Sequence, residues 1–106
     1  LSGGNQQKVL LGKWLAVTPK ILILDEPSRG VDVKAKATIH EAVKELADRG
    51  SAIILISSDL PELVGLSDRA LVLRNGHLLG VLPKSEMSEE SVLLAANGEG
   101  TFEEKA

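Results

Sequence analysis

The sequence predicts an α/β fold, a parallel strand–helix–strand unit followed by an antiparallel hairpin and short helices. Three observations carry this. The runs ILIL (21–24) and AIILIS (52–57) are apolar at successive positions, and so on both faces, as strands inside a parallel sheet are. Between them, Ala35, Ile39, Ala42, Val43 and Leu46 recur at helical spacing. Further on, Asn75-Gly76 divides RALVLRNGHLLGVL in two, the strongest short signal for a hairpin turn.

Each element follows from its local chemistry. Ser2 can cap a helix over about 4–17, with Val9, Leu10, Trp14 and Val17 as its apolar stripe and Pro19 just beyond its end. Asp32 can cap the second helix, and Gly50 is its natural terminator. Strand, helix and strand over this length read as a right-handed β-α-β unit. Asp59 and Glu62 have capping-box spacing for a short helix near 60–66. Ser88 opens a last helix to about Ala96, and NGEGTFEEKA reads as a flexible acidic tail over 97–106. No internal repeat is visible.

Length and composition bound the function. At 106 residues the chain is at most one small domain. A net charge of −3 offers no basic surface for nucleic acid, and none is expected as a partner. The absence of cysteine excludes disulfides and thiolate metal sites and fits a reducing compartment. No apolar run approaches the ~20 residues of a membrane-spanning helix. The opening residues carry no signal-peptide pattern, and a start at Leu1, inside a motif, leads us to expect a fragment.

Two stretches carry chemistry. The first apolar run ends on adjacent carboxylates, Asp25 and Glu26, followed by Pro27 and, beyond SRGV, by Asp32. Acids are common where strands meet water, so the pair alone decides nothing. LSGGN stands directly before a helix. Its glycines permit close backbone approach and the helix start presents unpaired N–H groups, which suits phosphate and equally suits a plain cap and turn.

Taken in order, the segments resemble the C-terminal part of an ABC transporter ATPase domain. LSGGNQQK resembles the signature loop of that family, ILILDE its Walker B strand, SRGVD its D-loop and ILISSD its switch region. The likeness covers about residues 1–82. It is nearer still to the second ATPase half of the tandem proteins that power bacterial sugar importers of the ribose, xylose and galactose type. The fold implied is a partial P-loop-type ABC ATPase domain over 1–96. Nothing in the sequence fits G-x-x-x-x-G-K-[ST], so the Walker A half is absent, as is the Gln loop.

The resemblance implies roles. Asp25 would hold Mg²⁺, through water, and Glu26 would orient or polarise the water that attacks the γ-phosphate. Ser2, Gly3, Gly4 and Asn5 would bind the ATP of the opposite half. Asp32 would lie at the interface between the halves, a role compatible with capping its helix. Ser58 occupies the switch position where the family carries histidine. A hydroxyl donates a hydrogen bond but carries no imidazolium charge, which implies a weakened site. His40 and His77 read as surface residues, Arg29 and Lys34 as solvated charges or contacts across a dimer interface, and Trp14 as core. The implied partners are the other ATPase half, transmembrane permease subunits and, indirectly, a periplasmic sugar-binding protein, with the ATPase peripheral on the cytoplasmic face of the inner membrane. Two other readings stay open: the C-terminal lobe of a DNA-repair or chromosome-type ABC ATPase, which a preceding coiled coil would mark, and a non-catalytic interaction fragment.

Overall fold

The structure, a computed structural model, describes the backbone of residues 3–98 and the side chains of residues 9–98. The element order is α1 (Gly3–Val17), β1 (Ile21–Asp25), α2 (Val33–Asp48), β2 (Ala52–Ile56), α3 (Leu60–Leu66), β3 (Arg69–Arg74), β4 (His77–Pro83), a 3-10 turn (Lys84–Glu86) and α4 (Glu89–Ala96). The chain divides into two units, 1–58 and 59–106. The predicted cap at Ser2 and residues 99–106 of the predicted tail lie outside the described residues, whereas Asn97 and Gly98, the tail's first two, close α4.

In the first unit β1 and β2 pair in parallel, Ile21 opposite Ala52 through Asp25 opposite Ile56. The crossover runs through α2, whose start and stop are both chemically defined. Asp32 Oδ1 accepts the Ala35 amide at 2.8 Å, satisfying one of the helix's orphan N–H groups. At the other end Gly50 adopts φ 101°, with Gly50 N–H on the Ala47 carbonyl and Ser51 N–H on the Leu46 carbonyl. That pair of bonds is a Schellman motif, and glycine takes its left-handed position without a Cβ clash. Ala35, Ile39, Val43 and Leu46 form the buried face of α2, as their spacing predicts.

α1 packs against α2, and of the predicted stripe only Trp14 is even half-buried. Leu11 is buried, with Trp14 and Leu15 half-buried, whereas Val9, Leu10 and Val17 are exposed. This helix has apolar residues on more than one side, so periodicity alone did not select the face that meets α2. Its end is tied down by tertiary bonds: Arg49 donates to the Leu15 carbonyl at 2.6 Å, and Ser51 Oγ to the Pro19 carbonyl at 2.6 Å. Thr18 follows with φ 45°, a left-handed conformation disfavoured for a β-branched residue.

The strands are apolar on both faces, but only one face is covered among the described residues. Leu22 and Leu24 are buried and Ile53 and Leu55 half-buried, while Ile21, Ile23, Ile54 and Ile56 are exposed. Parallel sheets are otherwise covered on both sides.

The second unit starts at Asp59, whose Oδ1 accepts the Glu62 amide at 2.9 Å and opens α3. β3 and β4 pair antiparallel across Asn75 (φ 52°) and Gly76 (φ 79°), the two positive angles of a type I′ turn, with a bulge at Val72/Leu73. Ala70, Val72 and Leu82 from the hairpin bury with Val92 and Ala95 of α4, flanked by Leu60, Leu63, Val64, Leu79 and Met87. Ser88 caps α4 in a reciprocal box with Ser91. The Arg74 guanidinium donates to the Asn97 carbonyl, joining β3 to the end of α4.

Candidate functional site

The candidate site lies at the carboxyl ends of β1 and β2, the side on which open α/β sheets bind ligands. Asp25 is the last residue of β1. Its carboxylate is exposed and makes no hydrogen bond or ion pair among the described residues. Glu26 comes next and leaves the strand in a left-handed conformation, φ 50°. Such a conformation costs a non-glycine residue of order 1 kcal/mol and persists only where surrounding bonds impose it. Here the Glu26 amide donates to the Ile56 carbonyl at 2.7 Å, continuing the pairing of the strands for one residue. The Glu26 carbonyl accepts the Arg29 amide at 3.2 Å, closing a turn over 26–29 with Pro27 in its second position, where a fixed φ is favourable.

This backbone aims the Glu26 side chain across to the chain leaving β2. Ser58 Oγ donates to Glu26 Oε2 at 3.1 Å, so two residues 32 positions apart in sequence are joined at the ends of adjacent strands. A carboxylate only accepts, so the hydroxyl's one proton is committed to Glu26. The second oxygen, Oε1, faces Arg29 at 3.7 Å. Arg29 is solvent-exposed, as its sequence context predicts, and from that exposed position its guanidinium also faces an acid of its own chain. The signal that would have found it is the Glu-Pro-Ser-Arg turn, whose first and fourth residues lie side by side.

The loop continues through a second turn, Val31 N–H on the Ser28 carbonyl at 3.3 Å with Gly30 at φ 75°. Asp32, already placed as the cap of α2, ends it. Ser28 is buried, so the loop is anchored at Glu26, Ser28 and Asp32. Gly3, Gly4 and Asn5 form the first turn of α1, and the backbone N–H groups of a helix's first turn have no acceptor within the helix. Their side chains, and Ser2 altogether, lie outside the described residues. His77 is exposed and His40 half-buried on α2 with an interaction of its own.

No group of three or more His, Cys, Asp or Glu side chains that could by itself hold a metal occurs among the described residues. The donor set at the strand end, one exposed carboxylate beside an occupied one, fits Mg²⁺ in the form that ion prefers, with a single protein carboxylate and the remaining positions taken by water and substrate phosphates.

No protein-family model matches the chain. Among curated proteins it is 58% identical over 101 residues to the ribose import ATP-binding protein RbsA 2 of Rhizobium etli, covering 95% of this chain and 20% of that protein. It is 56% identical over 98 residues to the ribose import ATP-binding protein RbsA of Lactococcus lactis, covering 92% of this chain and 20% of that protein. The chain thus spans about one fifth of the length of the relatives it matches. Among solved structures, a nucleotide-free ATP-binding cassette from an ABC transporter superposes with a TM-score of 0.73 at 29% identity, over 88% of this chain and 36% of the cassette. The ADP conformation of an ATP-binding cassette of an ABC transporter gives 0.70 at 30% identity, over 88% of this chain and 36% of that cassette. Over most of its length the chain is therefore similar in sequence to a segment of the ribose import ATP-binding proteins and resembles in fold part of an ABC ATPase cassette.

Proposed function

We propose that this chain is the signature, Walker B, D-loop and switch portion of the ATP-hydrolysing subunit of an ABC importer for a sugar. What supports the reading above all is the joining of Glu26 to Ser58 at the carboxyl ends of two parallel strands, with the exposed Asp25 beside them. In this reading Glu26 orients the water that attacks the γ-phosphorus, the bond to the bridging oxygen of ADP breaks, and the water's proton leaves with the phosphate. Positioning is most of what a protein contributes to such a reaction, and a strand end with an anchored loop supplies it. Asp25 would hold Mg²⁺ through water; the ion supplies charge neutralisation on the phosphate oxygens. The first turn of α1, Gly3 to Asn5 with Ser2 before it, would serve the nucleotide of an opposing ATPase half, and Asp32 would lie where the halves meet.

The importer reading draws on the relatives, which are ribose import ATP-binding proteins. Its partners would be a second ATPase half, membrane-embedded permease subunits and, indirectly, a sugar-binding protein outside the membrane. No helix among the described residues is long and apolar enough to cross a membrane, and the proposed location is peripheral, on the cytoplasmic face. The sequence carries no phosphate-cradling loop, so the 106-residue chain alone is expected to show no ATP turnover.

The test is a graft: this chain replaces the matching fifth of the Lactococcus lactis relative, and Mg²⁺-dependent ATPase activity and ribose uptake are measured beside the isolated chain. Activity in the graft and none in the chain is the expected outcome. A graft that binds ATP yet neither hydrolyses it nor supports uptake would refute the proposal, as would steady turnover by the chain alone.

A further inference from the structure

We propose that Arg29 is a positioning residue for hydrolysis, holding the Glu26 carboxylate from the side opposite Ser58. The proposal rests on the hydrolytic reading of Glu26 and goes beyond it, because the resemblance of SRGVD to a D-loop gives Arg29 no part in holding Glu26. The argument starts from the backbone. Glu26 sits in a left-handed conformation at the strand end and opens the turn 26–29, closed by Arg29 N–H on the Glu26 carbonyl at 3.2 Å. Pro27 in that turn removes the freedom of one φ angle, so the first and fourth side chains stay adjacent.

The two oxygens of Glu26 are then engaged separately. Oε2 accepts from Ser58 at 3.1 Å and Oε1 faces the Arg29 guanidinium at 3.7 Å. A carboxylate held at one oxygen still turns about its last torsion, which is broad. Engagement at both oxygens narrows that rotation and presents one face to an attacking water. Ser58 comes from the end of β2 and Arg29 from the loop after β1, so the two constraints are independent in sequence and converge only in the fold.

The size of the effect is limited by solvent. The Arg29 side chain is 72% exposed and that of Glu26 20%, and the ion pair is longer than a direct charge-assisted hydrogen bond. An exposed pair of this kind is screened, so its loss is expected to change turnover by about two- to fivefold rather than by orders of magnitude.

The experiment uses the graft described above, with the hydrolytic carboxylate of the relative's other ATPase half substituted so that single-turnover hydrolysis reports the Glu26 site. Arg29→Ala should lower the rate about two- to fivefold while ATP affinity and the thermal midpoint stay unchanged, Arg29→Lys should restore part of the loss, and added salt should narrow the gap between wild type and Arg29→Ala. An unchanged rate overturns the proposal, as does a loss of rate that follows a loss of ATP affinity or midpoint, or one that lysine fails to mend. A wild-type graft that binds ATP without hydrolysing it removes the hydrolytic reading of Glu26 first and this proposal with it. On the 106-residue chain itself, the carboxyl carbon resonance of Glu26 should move in the Arg29→Ala variant and move in the same direction with salt; a resonance that responds to neither overturns the proposal whatever the turnover.

Discussion

Replacing Ser58 with histidine tests the most consequential feature of the site. In the structure the Ser58 hydroxyl spends its one proton on Glu26 Oε2 at 3.1 Å, which leaves it nothing to donate to a phosphate. An imidazole has two ring nitrogens. One can keep the bond to Glu26 while the other, when protonated, donates to the developing charge on the γ-phosphate. Ser58 is exposed at the strand end, so the larger ring meets no core, and the change in stability is expected to stay within about 0.5 kcal/mol. The upper limit of the gain is that of one preorganised donor to developing charge, about 2.7–4 kcal/mol or 10²–10³ in rate. Solvent access to residue 58 lowers the expectation toward the bottom of that range. The assay is single-turnover hydrolysis in the grafted protein with the other half's site disabled, with ATP binding measured in parallel. An unchanged rate with ATP still bound at this site would refute the reasoning that the missing imidazole limits it.

Three further outcomes follow from the same structure. On the proposed reading, Gly4→Asp in the graft should reduce ATPase activity and uptake more than Glu26→Gln, because it would set a carboxylate in the first turn of α1 against the opposing half's triphosphate, whereas Glu26 would serve the site that lacks a histidine; transport that survives Gly4→Asp but not Glu26→Gln would reverse the assignment. Leu46→Ala, at a side chain with 0% exposure on α2, should cost about 2–5 kcal/mol in denaturant unfolding of the first unit, and a loss under 1 kcal/mol would mean that α2 is not buried as described. Thr18→Asn should stabilise the chain by about 1 kcal/mol in the same assay, since asparagine tolerates the φ of 45° that strains a β-branched residue; a destabilisation would show that the Thr18 hydroxyl bond to Leu15 outweighs the strain.

The parts of this protein legible in sequence were those set by local chemistry. Asp32, Asp59 and Ser88 each cap the helix they precede because a short acceptor side chain can reach an amide three residues on without help from the rest of the fold. Gly50, Asn75 and Gly76 take the positive φ angles that their turns require, and the apolar runs at 21–24 and 52–57 pair in parallel. The order of motifs also pointed to the family whose cassettes the fold matches. Other features were decided only by tertiary structure. Which side of α1 is buried depended on where α2 lies, because Val9, Leu10 and Val17 are as apolar as Leu11 and differ from it only in what they face. The left-handed conformation of Glu26 was equally hidden, since no local signal favours it in a glutamate. It is imposed by the bond from its amide to Ile56 on the neighbouring strand, and with it comes the convergence of Ser58 and Arg29 on one carboxylate. Caps and turns are encoded over three or four residues; this site joins positions 26 and 58, and their contact exists only once the parallel pairing of β1 and β2 has set its register.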